Sequence, residues 1–222
     1  MWRDATLVAG RDLRVEARSR VTVNQVAPFA LLVLILFAFA LDPEGPVLER
    51  ATSGLYWVTV LFSALLAIAR SAKLDEADGV RDALRLSALE PAGVFAGKAL
   101  AVAAELVALE LLLGAGVVVL YGADPAGVGL LVATCAAATA AVATAGTLYG
   151  ALVSGLRVRE TLLPLLLLPV LAPVLIGATR AFEAALDGVP ADGWPWCGLL
   201  AAFAVLYSVA GALAYGTLLE GS

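Results

Sequence analysis

Six long apolar runs, broken by short polar stretches, set the pattern of this chain: Val21 to Leu41, Ala51 to Ala69, Ala99 to Tyr121, Gly127 to Leu152, Thr161 to Ala178 and Trp196 to Leu219. Crossing about 30 Å of hydrocarbon takes roughly 17–25 residues of helix, which each run supplies. None shows the polar and apolar alternation of barrel strands. Lipid offers no partner to an exposed amide, so each run must close its own hydrogen bonds as a helix. The pattern predicts an all-α integral membrane protein with six transmembrane helices in one domain, residues 1–222. Composition agrees: 62% of residues are hydrophobic, against about 45–50% in globular domains, and the mean hydropathy is +0.95.

Orientation follows from Lys and Arg, which favour the cytoplasmic ends of spans. Twelve of the fourteen fall on one side, in residues 1–20, between the second and third spans, and between the fourth and fifth. Only Arg50 and Arg180 lie opposite. Both termini are therefore expected in the cytoplasm. Trp57, Trp194 and Trp196, with Tyr56 and Tyr121, fall near outer span ends and read as interfacial anchors. Residues 1–20 read as a basic helix on the inner surface, with Arg11, Arg14 and Arg18 on one face and Trp2, Ala5, Ala9 and Leu13 dipping into lipid. A basic leader this long is unusual for a signal peptide, although Ala38-Phe39-Ala40 resembles a cleavage site.

The chemistry available is sparse. There is no histidine, which removes the commonest general base, zinc ligand and haem ligand. Gly93-Val94-Phe95-Ala96-Gly97-Lys98-Ala99 is the nearest approach to a phosphate loop, but its glycines are one residue too close and no Ser or Thr follows the Lys. No Ser or Cys nucleophile is paired with a base. Cys135 and Cys197 fall at different depths and read as packing residues. A net charge of −5 gives no reason to expect nucleic-acid binding.

The segment Leu74 to Pro91, LDEADGVRDALRLSALEP, interrupts the apolar pattern with charge. A helix starting at Asp78 would gather Val80, Ala83, Leu84, Ser87 and Ala88 on one face and Asp78, Arg81, Asp82 and Arg85 on the other. Such a helix either rests at the headgroups or seats in a groove on a soluble partner.

Three regions together resemble the cytochrome c maturation protein B (CcmB) family. These are AGRDLRVEARSR leading into FALLVLILFAFALDP; GLYWVTVLFSALLAIARS continuing to Asp75, Asp78-Gly79, Leu84, Leu86, Ser87 and Lys98; and LLPLLLLPVLAPVLIGA with Pro169 and Pro173. Arg81 and Arg85 depart from the family pattern, which has apolar residues there. The resemblance implies a six-span permease of the ABC-2 type in the inner membrane. In that reading Asp75, Asp78, Gly79, Arg81, Asp82, Leu84, Arg85 and Leu86 form a coupling helix that meets a separate ATPase, the A subunit, which would carry ATP and Mg. A haem-handling C subunit and a small D subunit would complete the complex. It would serve haem export or release of a haem-loaded periplasmic chaperone, with no cofactor held by this chain. An ABC-2 permease for a lipid, glycan or drug, and a non-transporting scaffold for the other subunits, stand as alternatives.

Within the bilayer, Glu105 and Glu110 share the third span. A charged residue at a helix centre costs on the order of 2.5–3.5 kcal/mol in insertion assays, so both must be protonated, paired or turned to a wet interior. Five residues apart, they point about 140° from each other. Glu110 reads either as part of a polar path or as bonded to a hydroxyl such as Thr134, Thr139 or Thr144. Pro164, Pro169 and Pro173 are expected to kink or break the fifth span. Thr179 to Gly188 reads as a separate outer amphipathic helix. Arg180 within it reads as an interfacial anchor or a partner for an anion.

Overall fold

The computed structural model describes residues 1–20, 22–41, 46–76, 89–154, 156 and 158–220. Among these every regular element is helical: α1 (Trp2–Ser19), a π turn (Thr22–Val26), α2 (Ala27–Ala40), α3 (Pro46–Glu76), α4 (Pro91–Tyr121), α5 (Val128–Val153), α6 (Arg159–Leu186) and α7 (Pro190–Glu220). Prolines open α3, α4 and α7, where the missing N–H is no loss. Gly122 (φ 65°) and Gly188 (φ 72°) follow α4 and α6 in the left-handed conformation that ends helices.

Five helices cross on their own length and apolarity, over Val47–Ser71, Pro91–Tyr121, Val128–Val153, Thr161–Leu186 and Pro190–Leu218. The first predicted span is different. Its helix α2 has 14 residues, about 21 Å at 1.5 Å per residue, and approaches the membrane thickness only with the π turn added. Helix α1 meets the Asn24–Ala40 axis at 52°.

Helix α5 lies at the centre, packed against α3, α4, α6 and α7. Residues Ala141 to Leu148 are buried all round, because small side chains let neighbouring helices come close. Gly146 seats Ile68 of α3, and on α7 Gly211 seats the Phe95 ring of α4. Thr144 and Thr147 donate their hydroxyls to the carbonyls of Ala140 (2.7 Å) and Ala143 (2.8 Å) one turn back, which lets these polar side chains enter the core.

Four expectations change. Helix α6 runs unbroken through Pro164, Pro169 and Pro173. Each proline removes one amide bond, and with no water in the bilayer core to take over the freed groups the rest of the ladder holds. The same helix continues to Leu186, so Thr179 onward forms its closing turns rather than a separate outer helix. Tyr56 and Trp57 are core residues, each 1% exposed. Tyr56 stacks on Phe182 of α6 at 4.6 Å, and Trp57 meets both rings edge-on at 5.3 and 6.2 Å. Finally, Ala5, Val8 and Ala9 of α1 pack on α4 rather than in lipid. Gly93 and Gly97 make this approach possible: a Cβ on Gly97 would lie 2.6 Å from the Ala5 carbonyl oxygen and 2.7 Å from Val8 Cβ.

Candidate functional site

The close seat of α1 on α4 brings charged residues together at one end of the bundle. Lys98, 3% exposed, holds its Nζ 3.4 Å from Asp12 Oδ2. Asp12 also accepts from Arg11 Nε at 2.8 Å. One turn further along α1, Glu16 forms an ion pair with Arg70 of α3 and accepts the Thr22 backbone N–H at 2.8 Å. The Thr22 hydroxyl stands 3.4 Å from Arg70 Nη1 and 3.4 Å from Glu105 Oε2. Glu105 is thereby tied to the π turn and, through Thr22, to Arg70. Ionic groups persist at such depth only when paired in this way.

This network adjoins the charged segment Leu74 to Pro91 at both ends. Arg70 sits near the end of α3, whose last residues Leu74, Asp75 and Glu76 open that segment. Asp78, Gly79, Arg81, Asp82, Leu84, Arg85 and Leu86 lie outside the described residues. At the far end of the segment, the Glu90 amide donates to Asp4 Oδ2 at 3.4 Å, and the Glu90 carboxylate lies 2.9 Å from the Met1 ammonium. Bonding to Glu90, with help from Asp4, raises the pKa of that ammonium above its usual value. Leu89 joins Val8, Val94, Phe95, Leu148 and Tyr215 in a small apolar cluster. Helix α1 therefore fastens both flanks of the segment.

A second polar group lies deeper. Glu110, 5% exposed, accepts a 2.6 Å hydrogen bond from the Thr139 hydroxyl of α5. The Tyr56 hydroxyl donates to the Glu110 backbone carbonyl at 3.3 Å and lies 3.8 Å from Cys135 Sγ. The two glutamates thus serve different neighbours, as their angular separation requires. Arg180, more than half exposed, pairs with Glu183 at 3.0 Å. Among the described residues no three His, Cys, Asp or Glu side chains gather closely enough to hold a metal ion.

Glu16 and Asp12 were not legible as site residues, since a carboxylate in a basic helix reads as surface charge. Lys98 carried the available signal: a cation inside an otherwise apolar helix needs an anion from elsewhere.

Apolar helices around buried ionic links define a polytopic α-helical membrane protein. The CcmB protein family model matches residues 3–221, and the chain belongs to that family. It is 37% identical to Heme exporter protein B of Paracoccus denitrificans, over 77% of this chain and 78% of the relative. The protein of the same name from Haemophilus influenzae is 33% identical over 82% and 83%. That from Pseudomonas aeruginosa is 29% identical over 90% of each. The chain is a multi-pass protein of the inner membrane.

Proposed function

We propose that this chain is the permease subunit of an ATP-binding-cassette complex that exports haem for cytochrome c maturation. Its task is to pass the motion of a separate ATPase to the membrane helices. The cargo reading rests on the family and on the relatives' name. The coupling reading rests on one observation: α1 holds both flanks of the segment from Leu74 to Pro91. A motor protein gripping Asp75, Asp78 and the residues up to Leu86 would pull on α3 at Arg70 and on α4 near Glu90. The ion pairs Glu16–Arg70 and Asp12–Lys98 would carry that load into α1 and α4 together. With no histidine in the chain, a haem-handling partner is the expected holder of the iron, and a periplasmic chaperone the expected recipient.

The test uses the purified complex in proteoliposomes with haem enclosed on the cytoplasmic side. ATP hydrolysis and haem appearance outside are measured for the wild type and for Glu16→Ala. Coupling predicts that the variant hydrolyses ATP while haem delivery falls. Equal delivery per ATP in both proteins removes the coupling role of the α1 network. Chaperone release without haem crossing would replace export with a release function.

A further inference from the structure

Between helices α4 and α5 lies a groove of about 410 Å3. That size falls in the range of roughly 300–1,000 Å3 typical of small-molecule sites. One wall is a helical stripe on α4, Val107, Leu111, Gly114 and Val118; Val132 and Ala136 of α5 form the other. Leu111 and Val132 are 72% and 64% exposed, so the entrance faces lipid. Tyr56, Phe182, Cys135 and Glu110 also line it, and Glu110 is the single acidic residue in the lining. A Cβ on Gly114 would meet nothing within 4 Å, so the space beside it is unfilled.

We propose that this groove binds a membrane-dissolved amphiphile with a neutral phenolic or hydroquinone head, whose hydroxyl hydrogen-bonds to the Glu110 carboxylate while its apolar tail leaves between α4 and α5. Three observations select this class. A carboxyl group has about four acceptor positions, and the Thr139 hydroxyl occupies one, so Glu110 retains capacity for a donor. A single acid in the lining disfavours phosphate or carboxylate heads. The stacked rings of Tyr56 and Phe182 give a flat head an aromatic neighbour. This site is independent of the coupling role proposed above, which haem delivery tests separately.

The experiment uses the purified complex in phosphatidylcholine nanodiscs and a decyl-tailed hydroquinone carrying a diazirine at the tail end. After illumination, adducts are mapped by peptide mass spectrometry. Leu213 of α7, 78% exposed, reports background labelling from lipid. The expected adducts fall on the peptides containing Leu111, Val118 and Val132, and excess unlabelled decylhydroquinone removes them while decanoate does not. Gly114→Leu, which fills the groove, should abolish them. Glu110→Leu should weaken competition about tenfold, as expected for loss of one hydrogen bond. Equal labelling at Leu213, competition by decanoate as strong as by decylhydroquinone, or undiminished labelling in Gly114→Leu overturns the proposal. Displacement by haem but not by decylhydroquinone also overturns it and assigns the groove to a tetrapyrrole.

Discussion

The Glu16 carboxylate of α1 and the Arg70 guanidinium of α3 form an ion pair with little exposure to solvent, the two side chains being 10% and 19% exposed. Charges withdrawn from water lose hydration that only mutual contact and further hydrogen bonds restore. The pair joins α1 to α3, one of the five helices long and apolar enough to cross the membrane alone.

Removing one member should therefore harm more than removing both. Glu16→Ala is expected to destabilise the protein by about 3–5 kcal/mol, the range for stranding a buried charge. The double variant Glu16→Ala with Arg70→Ala should lose less than Glu16→Ala alone. Unfolding of the purified protein in detergent, analysed as a double-mutant cycle, measures the coupling. Additive effects would show that the pair carries no joint role.

Glycine at position 97 is demanded by space rather than by backbone angle. Gly97→Ala places a methyl 2.6 Å from the Ala5 carbonyl oxygen, so α1 must shift, at a cost of about 1–3 kcal/mol. Gly54→Ala on α3 meets nothing within 4 Å and should be neutral or stabilising by up to about 1 kcal/mol. Limited proteolysis of residues 1–20 should accelerate in Gly97→Ala only.

Tyr56 and Trp194 separate core from interface. Tyr56→Ala empties the contact with Phe182 and is expected to cost about 3–5 kcal/mol. Trp194→Ala, at a side chain 51% exposed, should stay within about 0.5 kcal/mol. Thermal unfolding in matched detergent ranks them, and a reversed order would return Tyr56 to the membrane boundary.

At the mid-membrane acid, Thr139→Val deletes the 2.6 Å donor to Glu110. Loss of about 0.6–2 kcal/mol is expected, the scale of an interhelical hydrogen bond in lipid. Glu110→Gln keeps an acceptor for Thr139 and should remain closer to wild type than Glu110→Leu. Stability measurements on the three variants check the order.

Much of the fold was legible because hydrocarbon leaves a long apolar run few alternatives to a helix, and Pro91 and Gly122 bracket α4 as expected of such residues. The anchoring roles failed for a simple reason. Helix α3 begins at Pro46, earlier than its apolar core suggests, which moves Tyr56 and Trp57 inward and against Phe182. The amphipathic face of α1 was visible, but Ala5 and Val8 fit lipid and a glycine-lined helix equally well by composition. Glu110 had three candidate hydroxyls on the next helix; only the packing of α4 on α5 selects Thr139. The Glu16–Arg70 link depends on where two distant segments meet, information carried by no local pattern.

The prolines of α6 have a further meaning. Their missing amides leave the carbonyls of Glu160, Leu165 and Pro169 without the usual partners one turn on, although the coil remains whole. A rod with those omissions bends there at lower energy than elsewhere, because no bond has to be given up first. Any tilting of the outer half of the molecule relative to the inner half should therefore pivot at this height, with Phe182 and the aromatic cluster travelling as one rigid body beyond it.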